Sequence, residues 1–405
     1  MQASRKVLVW SISVILLCSG LIIAQEEESV EVVKPVKLSL TLRGEYTDNR
    51  DSLSEDDEED TFNFYVKPRI DINLDWERAF LDFFYAPSWR YKTDPSDIQN
   101  EDEFHHDLGV KGERSLAPGL VIRASEKFDL TDDPSIDEGG TFVRRDQSYI
   151  LNRADVGLNY ELSETWNVDL AVHHMLKEYD KDEVAEDSDE DLTRGTALLI
   201  NQVTPTFSLF GMGSFSTYGF EAAEGFERDF DSAMFAVGVE NVVNPGLRIG
   251  AAAGIQTQDY DDDRVDSDDV PYGNVWLAGR MNPDNRLRLD VTHGIRDADA
   301  YPFASQEYTD VRARWDWDLL PRVGVYASGV YRFSDYDVSF DSPADETDFA
   351  VFEGDETTSI VEGGIAYRFS RKTSLTLVQR YEDVDSDVAE EYTKNSTKLI
   401  FGREF

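Results

Sequence analysis

The chain has 405 residues, with 39 Lys and Arg against 82 Asp and Glu, a net charge of −43 and a single cysteine. A nucleic-acid binder needs a basic face to replace phosphate counterions, and two acids per base argue against that class. A hydrophobic content of 40% with 12% aromatics is too rich for a wholly unfolded chain, so the acid has to be concentrated in particular segments.

The first segment has the pattern of an export signal. Arg5 and Lys6 precede an apolar run from residue 7 to 23, which ends at Ala24 before Gln25-Glu26-Glu27-Glu28. Cleavage after Ala24 is expected, an uncleaved anchor being the other reading of so long a run. Cys18 lies inside the run and follows Leu17, where lipid attachment would need a small residue. Removing residues 1–24 leaves a charge of about −45 and no cysteine, hence no internal disulfide. Residues 25–35 read as a flexible segment, and 36–405 as one unit. No later apolar run approaches the roughly 20 residues of a helical span, so an exported chain of this kind either stays in water or crosses a membrane as a barrel.

Alternation favours the barrel. Phe62, Phe64, Val66, Pro68, Ile70, Ile72 and Leu74 alternate with Asn63, Tyr65, Lys67, Arg69, Asp71 and Asn73, a period of two. The same pattern continues from residue 78 to 91 after only three residues. Along the chain it predicts eighteen strands, at 36–47, 61–74, 78–92, 103–114, 120–130, 148–161, 166–179, 192–203, 206–218, 230–242, 247–258, 272–281, 286–296, 306–318, 323–334, 357–369, 373–383 and 395–405. Connections alternate between short and long. The short ones, 75–77, 115–119, 163–165, 204–205, 243–246, 282–285, 320–322 and 370–372, have turn chemistry. Four of the long ones, 48–60, 180–191, 259–269 and 335–356, hold about −29 of the mature charge. Residues 384–394 read as a further flexible segment. A soluble sandwich or solenoid would also alternate, but gives no reason for short and long connections to alternate from end to end.

An even number of strands with short turns on one side and long acidic loops on the other describes an outer-membrane barrel. Thr397, Leu399, Phe401 and Phe405 alternate outward to a C-terminal Phe, and Arg403 interrupts them. Trp89, Tyr91, Phe104, Tyr331 and Phe333 gather at one set of strand ends, and Trp166, Phe207, Trp315, Trp317, Tyr367 and Phe369 at the other, as two aromatic girdles would. Through turns such as Asn244-Pro245-Gly246 and the ending 399–405, the mature chain resembles the β-barrel porin 2 family of Gram-negative outer membranes. The resemblance implies an all-β, single antiparallel up-and-down barrel, with a loose link to exopolysaccharide systems. It also implies delivery to the barrel assembly machinery through Phe405, and outer-membrane lipid and lipopolysaccharide as surroundings.

Chemistry is sparse. His105, His106, His173, His174 and His293 are the five histidines, in no metal-ligand spacing, because strand neighbours point to opposite faces. With no Ser marked beside them, a lipid hydrolase is the least favoured class. Asp259, Asp261 and Asp263 imitate the start of an EF-hand, but Arg264 stands where Gly is required and Val270 where the bidentate Glu belongs. No cofactor or metal site is expected beyond weak uptake of divalent cations by the acidic loops. The inward phase is charged. Lys67, Arg69, Arg288, Arg312, Arg314 and Arg380 are expected near mid-height, close to Asp71, Asp82 and Asp290, as a pore lining. Ala236, Gly238, Gly250, Ala252 and Gly254 form a smooth inward patch, where a loop could rest or curvature be relieved. The expectation is a passive channel for small polar solutes or saccharides. The alternative is a closed structural or export-associated barrel of an exopolysaccharide system.

Overall fold

The computed structural model describes residues 35–49, 60–93, 102–131, 149–179, 189–220, 229–261, 267–298, 303, 305–337, 354–388 and 391–405. The segment read as an export signal (1–24), most of 25–35, Asp263 and Arg264, and most of the long connections lie outside these. The strands, in chain order, are β1 (Val36–Thr47), β2 (Thr61–Trp76), β3 (Ala79–Lys92), β4 (Asp102–Ala117), β5 (Leu120–Thr131), β6 (Tyr149–Glu161), β7 (Trp166–Tyr179), β8 (Glu190–Thr204) and β9 (Phe207–Phe220). They continue with β10 (Phe230–Asn244), β11 (Leu247–Tyr260), β12 (Asp268–Asn282), β13 (Asn285–Asp297), β14 (Ser305–Leu320), β15 (Val323–Asp337), β16 (Gly354–Ser370), β17 (Thr373–Ser386) and β18 (Tyr392–Glu404).

Each strand pairs antiparallel with its chain neighbours, and β1 closes the sheet on β18, from Ser39 opposite Glu404 to Thr47 opposite Ser396. Closure leaves no edge, so the backbone is hydrogen-bonded all the way round, which is what a wall in hydrocarbon requires. The strands run from 12 to 17 residues, more than the roughly 9–11 that span a membrane.

From β2 to β16, each even-numbered strand turns into the next over two to four residues. Five of these turns put Pro at their first central position: Pro118, Pro205, Pro245, Pro283 and Pro321. The ring sets the φ that this position needs. The residue before the turn often caps it. Thr204 Oγ1 accepts from the backbone N–H of Thr206 and Phe207, Asn244 Oδ1 from Gly246, Asn282 Oδ1 from Asp284 and Asn285, and Ser370 Oγ from Lys372. A β-bulge accompanies six of the turns, as at Val242/Asn244 and Arg280/Asn282. Gly119, at φ +72°, occupies the left-handed region that only glycine enters cheaply.

Some boundaries differ from the expected ones. Asp75 and Trp76 belong to β2, and the turn is at 77–78. Residues 384–386 extend β17 and 392–394 begin β18, where a flexible segment was expected. Their polar side chains hide the alternation, but the backbone ladder continues, with Val384 opposite Tyr392. Likewise Asp335 lies in β15 and Glu356 in β16, so the connection between those strands is 338–353.

The outward face carries Val172, Phe235, Val237, Val361 and Ile365, each more than half exposed. Such a belt is a liability in water and a requirement in lipid. Trp315 stacks on Trp317 at 5.6 Å and Tyr367 meets Phe369 edge-on at the turn end, while Phe64, Trp89 and Tyr91 cluster at the other. Polar pairs also occur on this face, among them Asn152, which donates to the buried Glu126 at 3.1 Å.

Candidate functional site

The pairing registers fix which side chains share the lumen, because partners across an antiparallel ladder project to the same face. The inward set includes Lys67, Arg69, Asp71, Asp82, Arg288, Asp290, Arg312, Arg314 and Arg380, all on the charged phase. They lie on two arcs of the wall, β17 to β3 through the closure and β13 to β14, rather than in one ring.

On the first arc Lys67 pairs with Asp107 at 3.0 Å. Arg69 grips Asp71 through Nε and Nη2, at 2.7–3.1 Å, with its guanidinium 4.1 Å over Phe84. Asp82 accepts from Asn73 at 2.7 Å and faces Lys111 at 3.3 Å. Arg380 pairs with Glu382 at 2.8 Å. Arg69, Asp71, Asp82, Lys111, Arg153 and His173 are among the residues lining a recess of about 500 Å³ in this wall.

On the second arc Arg312 pairs with Asp310 at 2.7 Å, and the same carboxylate takes Arg332 at 2.6 and 3.1 Å. Arg314 binds Asp316 in a fork at 2.8–3.2 Å, with its guanidinium 4.5 Å over Tyr326. Arg288 is different. It sits directly opposite Arg314, and Arg280 opposite Arg286, yet among the described residues no carboxylate lies within ion-pair distance of Arg280, Arg286 or Arg288. Asp290 accepts instead from Thr292 at 3.0 Å and faces Asn274 at 3.5 Å.

Burial divides the lumen along its length. Near the long connections the inward side chains of Asn63, Lys92, Tyr149, Phe230, Gln258, Gln306, Arg332, Ser334, Tyr336 and Glu356 are buried. Aromatic rings stack there, with Tyr218 on Phe230 at 4.3 Å and Phe230 against Tyr260 at 5.3 Å. Toward the turns Lys111, Arg123, Arg248, Arg314 and Arg368 are exposed. This gradient sharpens a labelling test. Single cysteines at Lys67, Arg69, Asp71 and Asn73 should react with a membrane-impermeant thiol reagent, while those at Pro68, Ile70 and Ile72 stay unlabelled in lipid. Thr61, Asn63 and Tyr65 face inward but are buried, so cysteines there should react slowly. Uniform labelling in folded protein would contradict the wall.

Neighbouring histidines point to opposite faces. His105 and His173 face the lumen, His173 Nδ1 lying 2.8 Å from Asp155. On the outer face, the hydroxyls next to His106, His174 and His293 belong to Tyr85, Thr193 and Thr309.

Sequence reading missed the inward aromatics. Phe210 reaches over Gly238 and Trp276 over Gly250, so that a Cβ on either glycine would fall inside the ring above it. The two rings meet at 5.8 Å, tilted by 48°. The smooth patch was the signal: it is the bed on which two large rings lie.

The chain matches the family described as "Putative beta-barrel porin 2" over residues 33–401. Among solved structures it is similar to the outer membrane protein opdK of Pseudomonas aeruginosa, with a TM-score of 0.51 at 11% identity, covering 92% of this chain and 100% of that one. It is also similar to OccK9 (OpdG) of Pseudomonas aeruginosa, at 0.50 and 13%, covering 92% and 99%. At such identities the likeness concerns the fold. A comparison with curated proteins gave no match. A family match over nearly the whole chain, on a closed eighteen-strand wall around a charged lumen, makes this chain a member of the β-barrel porin 2 family, a porin-like channel of the bacterial outer membrane.

Proposed function

We propose that the channel passes small polar solutes, saccharides among them, by passive diffusion, filtering by size and charge without a catalytic residue or cofactor. The turn-side half of the lumen carries this reading: Lys111, Arg123, Arg248, Arg314 and Arg368 stay exposed although each has a carboxylate partner, as charged pairs lining a wet passage do. In planar bilayers the refolded protein should give stable conductance steps. Silence from protein of verified heat-modifiable fold would overturn the open channel. It would favour instead the closed, export-associated barrel, to which the buried lumen residues near the long connections lend support.

In this reading residues 1–24 are a cleaved export signal, 25–35 a flexible leader, and both ends of the barrel chain are periplasmic. The long acidic connections face outward, where they take up divalent cations weakly against lipopolysaccharide phosphates. Phe405 is the handle for the barrel assembly machinery. Arg403 is no obstacle to this, because its guanidinium lies 5.3 Å over the Phe405 ring and its stem can follow the wall. An acidic outer rim concentrates cations most in dilute salt, since the Debye length is roughly 30 Å at 0.01 M and 10 Å at 0.1 M. Deleting 341–353, which spares Glu356 in β16, should lower conductance and cation preference at low salt and leave both nearly unchanged at 1 M. Equal behaviour at low salt would remove the rim from the filter.

A further inference from the structure

The Phe210–Trp276 pair needs an explanation that wall-building does not supply. A barrel can relieve curvature with small residues alone, yet β10 and β11 keep Gly238, Gly250 and Gly254 bare and cover two of them with rings from β9 and β12. Each ring occupies the space that a Cβ on the glycine beneath it would take. Both side chains are only half-buried, in the turn-side half of the lumen where charged groups are exposed.

The polar groups around the platform are ordered by the same registers. Asp290 stands directly opposite Trp276, and Glu240 opposite Gly250. Arg248 and Arg288 both stand opposite Ala278, two residues along β12 from Trp276, so each lies diagonal to the indole on either side, at about 7–8 Å between Cα atoms. Arg248 shares Glu240 at 3.5 Å, and Asp290 is held by Thr292 at 3.0 Å, whereas Arg288 has no described carboxylate partner. No described residue accepts from the indole N–H of Trp276. An apolar bed of two rings inclined at 48° is thus flanked by hydrogen-bonding groups and by a guanidinium with no described carboxylate within ion-pair distance.

We propose that this platform is a saccharide subsite of the channel, binding a pyranose by its apolar C–H face on Phe210 and Trp276. Arg288 gives preference to a carboxylated, uronic-acid sugar, because its fork matches a carboxylate. The small patch that suggested a resting place for a loop is instead the foundation of the binding surface. This deepens the saccharide-channel reading and rests on it for its purpose, but binding can be measured without conduction.

The test is a calorimetric titration of the refolded full chain in a polyoxyethylene detergent, chosen because sugar detergents would compete. The probes are an α-1,4-linked galacturonate hexamer and maltohexaose. Saturable binding is expected for both, tighter for the galacturonate. Trp276→Ala should weaken both by about tenfold, the scale of one ring-stacking contact, and Trp276→Phe should recover most of it. Arg288→Gln should abolish the preference for galacturonate and spare maltohexaose. No saturable heat with either hexamer, or equal binding by wild type and Trp276→Ala, would overturn the platform. Equal or tighter binding of maltohexaose by wild type would overturn the role of Arg288. Conductance in a separate bilayer experiment decides the channel: a silent protein that binds sugar keeps the subsite and loses the pore.

Discussion

Arg288→Gln shifts the zero-current potential in a salt gradient toward cation preference, while Arg312→Gln and Arg314→Gln shift it less. The difference follows from their partners. Each replacement removes one positive charge, but Arg312 and Arg314 already give N–H donors to Asp310 and Asp316, so they hold a passing anion less than Arg288 does. Arg288, with Arg280 and Arg286 nearby, contributes positive charge with no described carboxylate within ion-pair distance. In a passage walled by low-dielectric strands such charges act more strongly than those on a remote rim. Replacing Arg280, Arg286 and Arg288 together should move the potential by on the order of 10 mV, against about 59 mV per tenfold gradient for perfect monovalent selectivity. A triple replacement of Arg288, Arg312 and Arg314 that conducts with an unchanged potential would assign all three to wall structure.

Asp310→Ala is expected to be the most destabilising single lumen substitution. Its carboxylate is buried, takes two hydrogen bonds from the buried Arg332 and a third from Arg312. Removing it takes two hydrogen bonds from a guanidinium held away from water, a loss of about 3–5 kcal/mol for a broken buried pair. The urea midpoint of the folded, heat-modifiable form should fall accordingly. Asp310→Asn should cost less than Asp310→Ala, since the amide oxygen still accepts. Lys111→Ala, which removes an exposed partner of Asp82, should change the midpoint little, as surface-like pairs contribute 1 kcal/mol or less. Equal midpoints for Asp310→Ala and Lys111→Ala would show that Arg332 is hydrated in the folded protein.

These contrasts bear on what could be read before the fold was known. The alternation at 61–74 and the Pro-centred turns located the strands because each signal has a local cause: the pleat sets the period and proline sets φ. The far ends of β12, β16 and β17 were less legible. Asp268, Asp269, Asp355, Glu356 and Asp385 look like loop residues, but ladder hydrogen bonds depend on backbone and hold regardless. The inward charges were assignable by parity, yet their grouping was not. Whether Arg69 meets Asp71 or Asp82 is a matter of rotamer and tilt, and the separation of the lining into two arcs depends on where β18 closes on β1. Phe210 and Trp276 escaped notice because a ring facing inward has the same parity as any polar neighbour. Only the glycines opposite them carried a trace.

Many ion pairs of the lumen join residues two apart on one strand: Arg43 with Glu45, Arg69 with Asp71, Lys127 with Asp129, Arg312 with Asp310, Arg314 with Asp316, and Arg380 with Glu382. Such a strand brings its own counter-ion. While a hairpin is being threaded into the bilayer its future lumen face has no opposite wall, and each isolated charge would cost several kcal/mol to dehydrate. Same-strand neutralisation lowers the charge that β1, β2, β5, β14 and β17 carry into the bilayer before their neighbours arrive. Those staves can be laid down one by one, whereas the β12–β13 hairpin, with Arg280, Arg286 and Arg288, waits for Asp316 of β14 opposite Arg286.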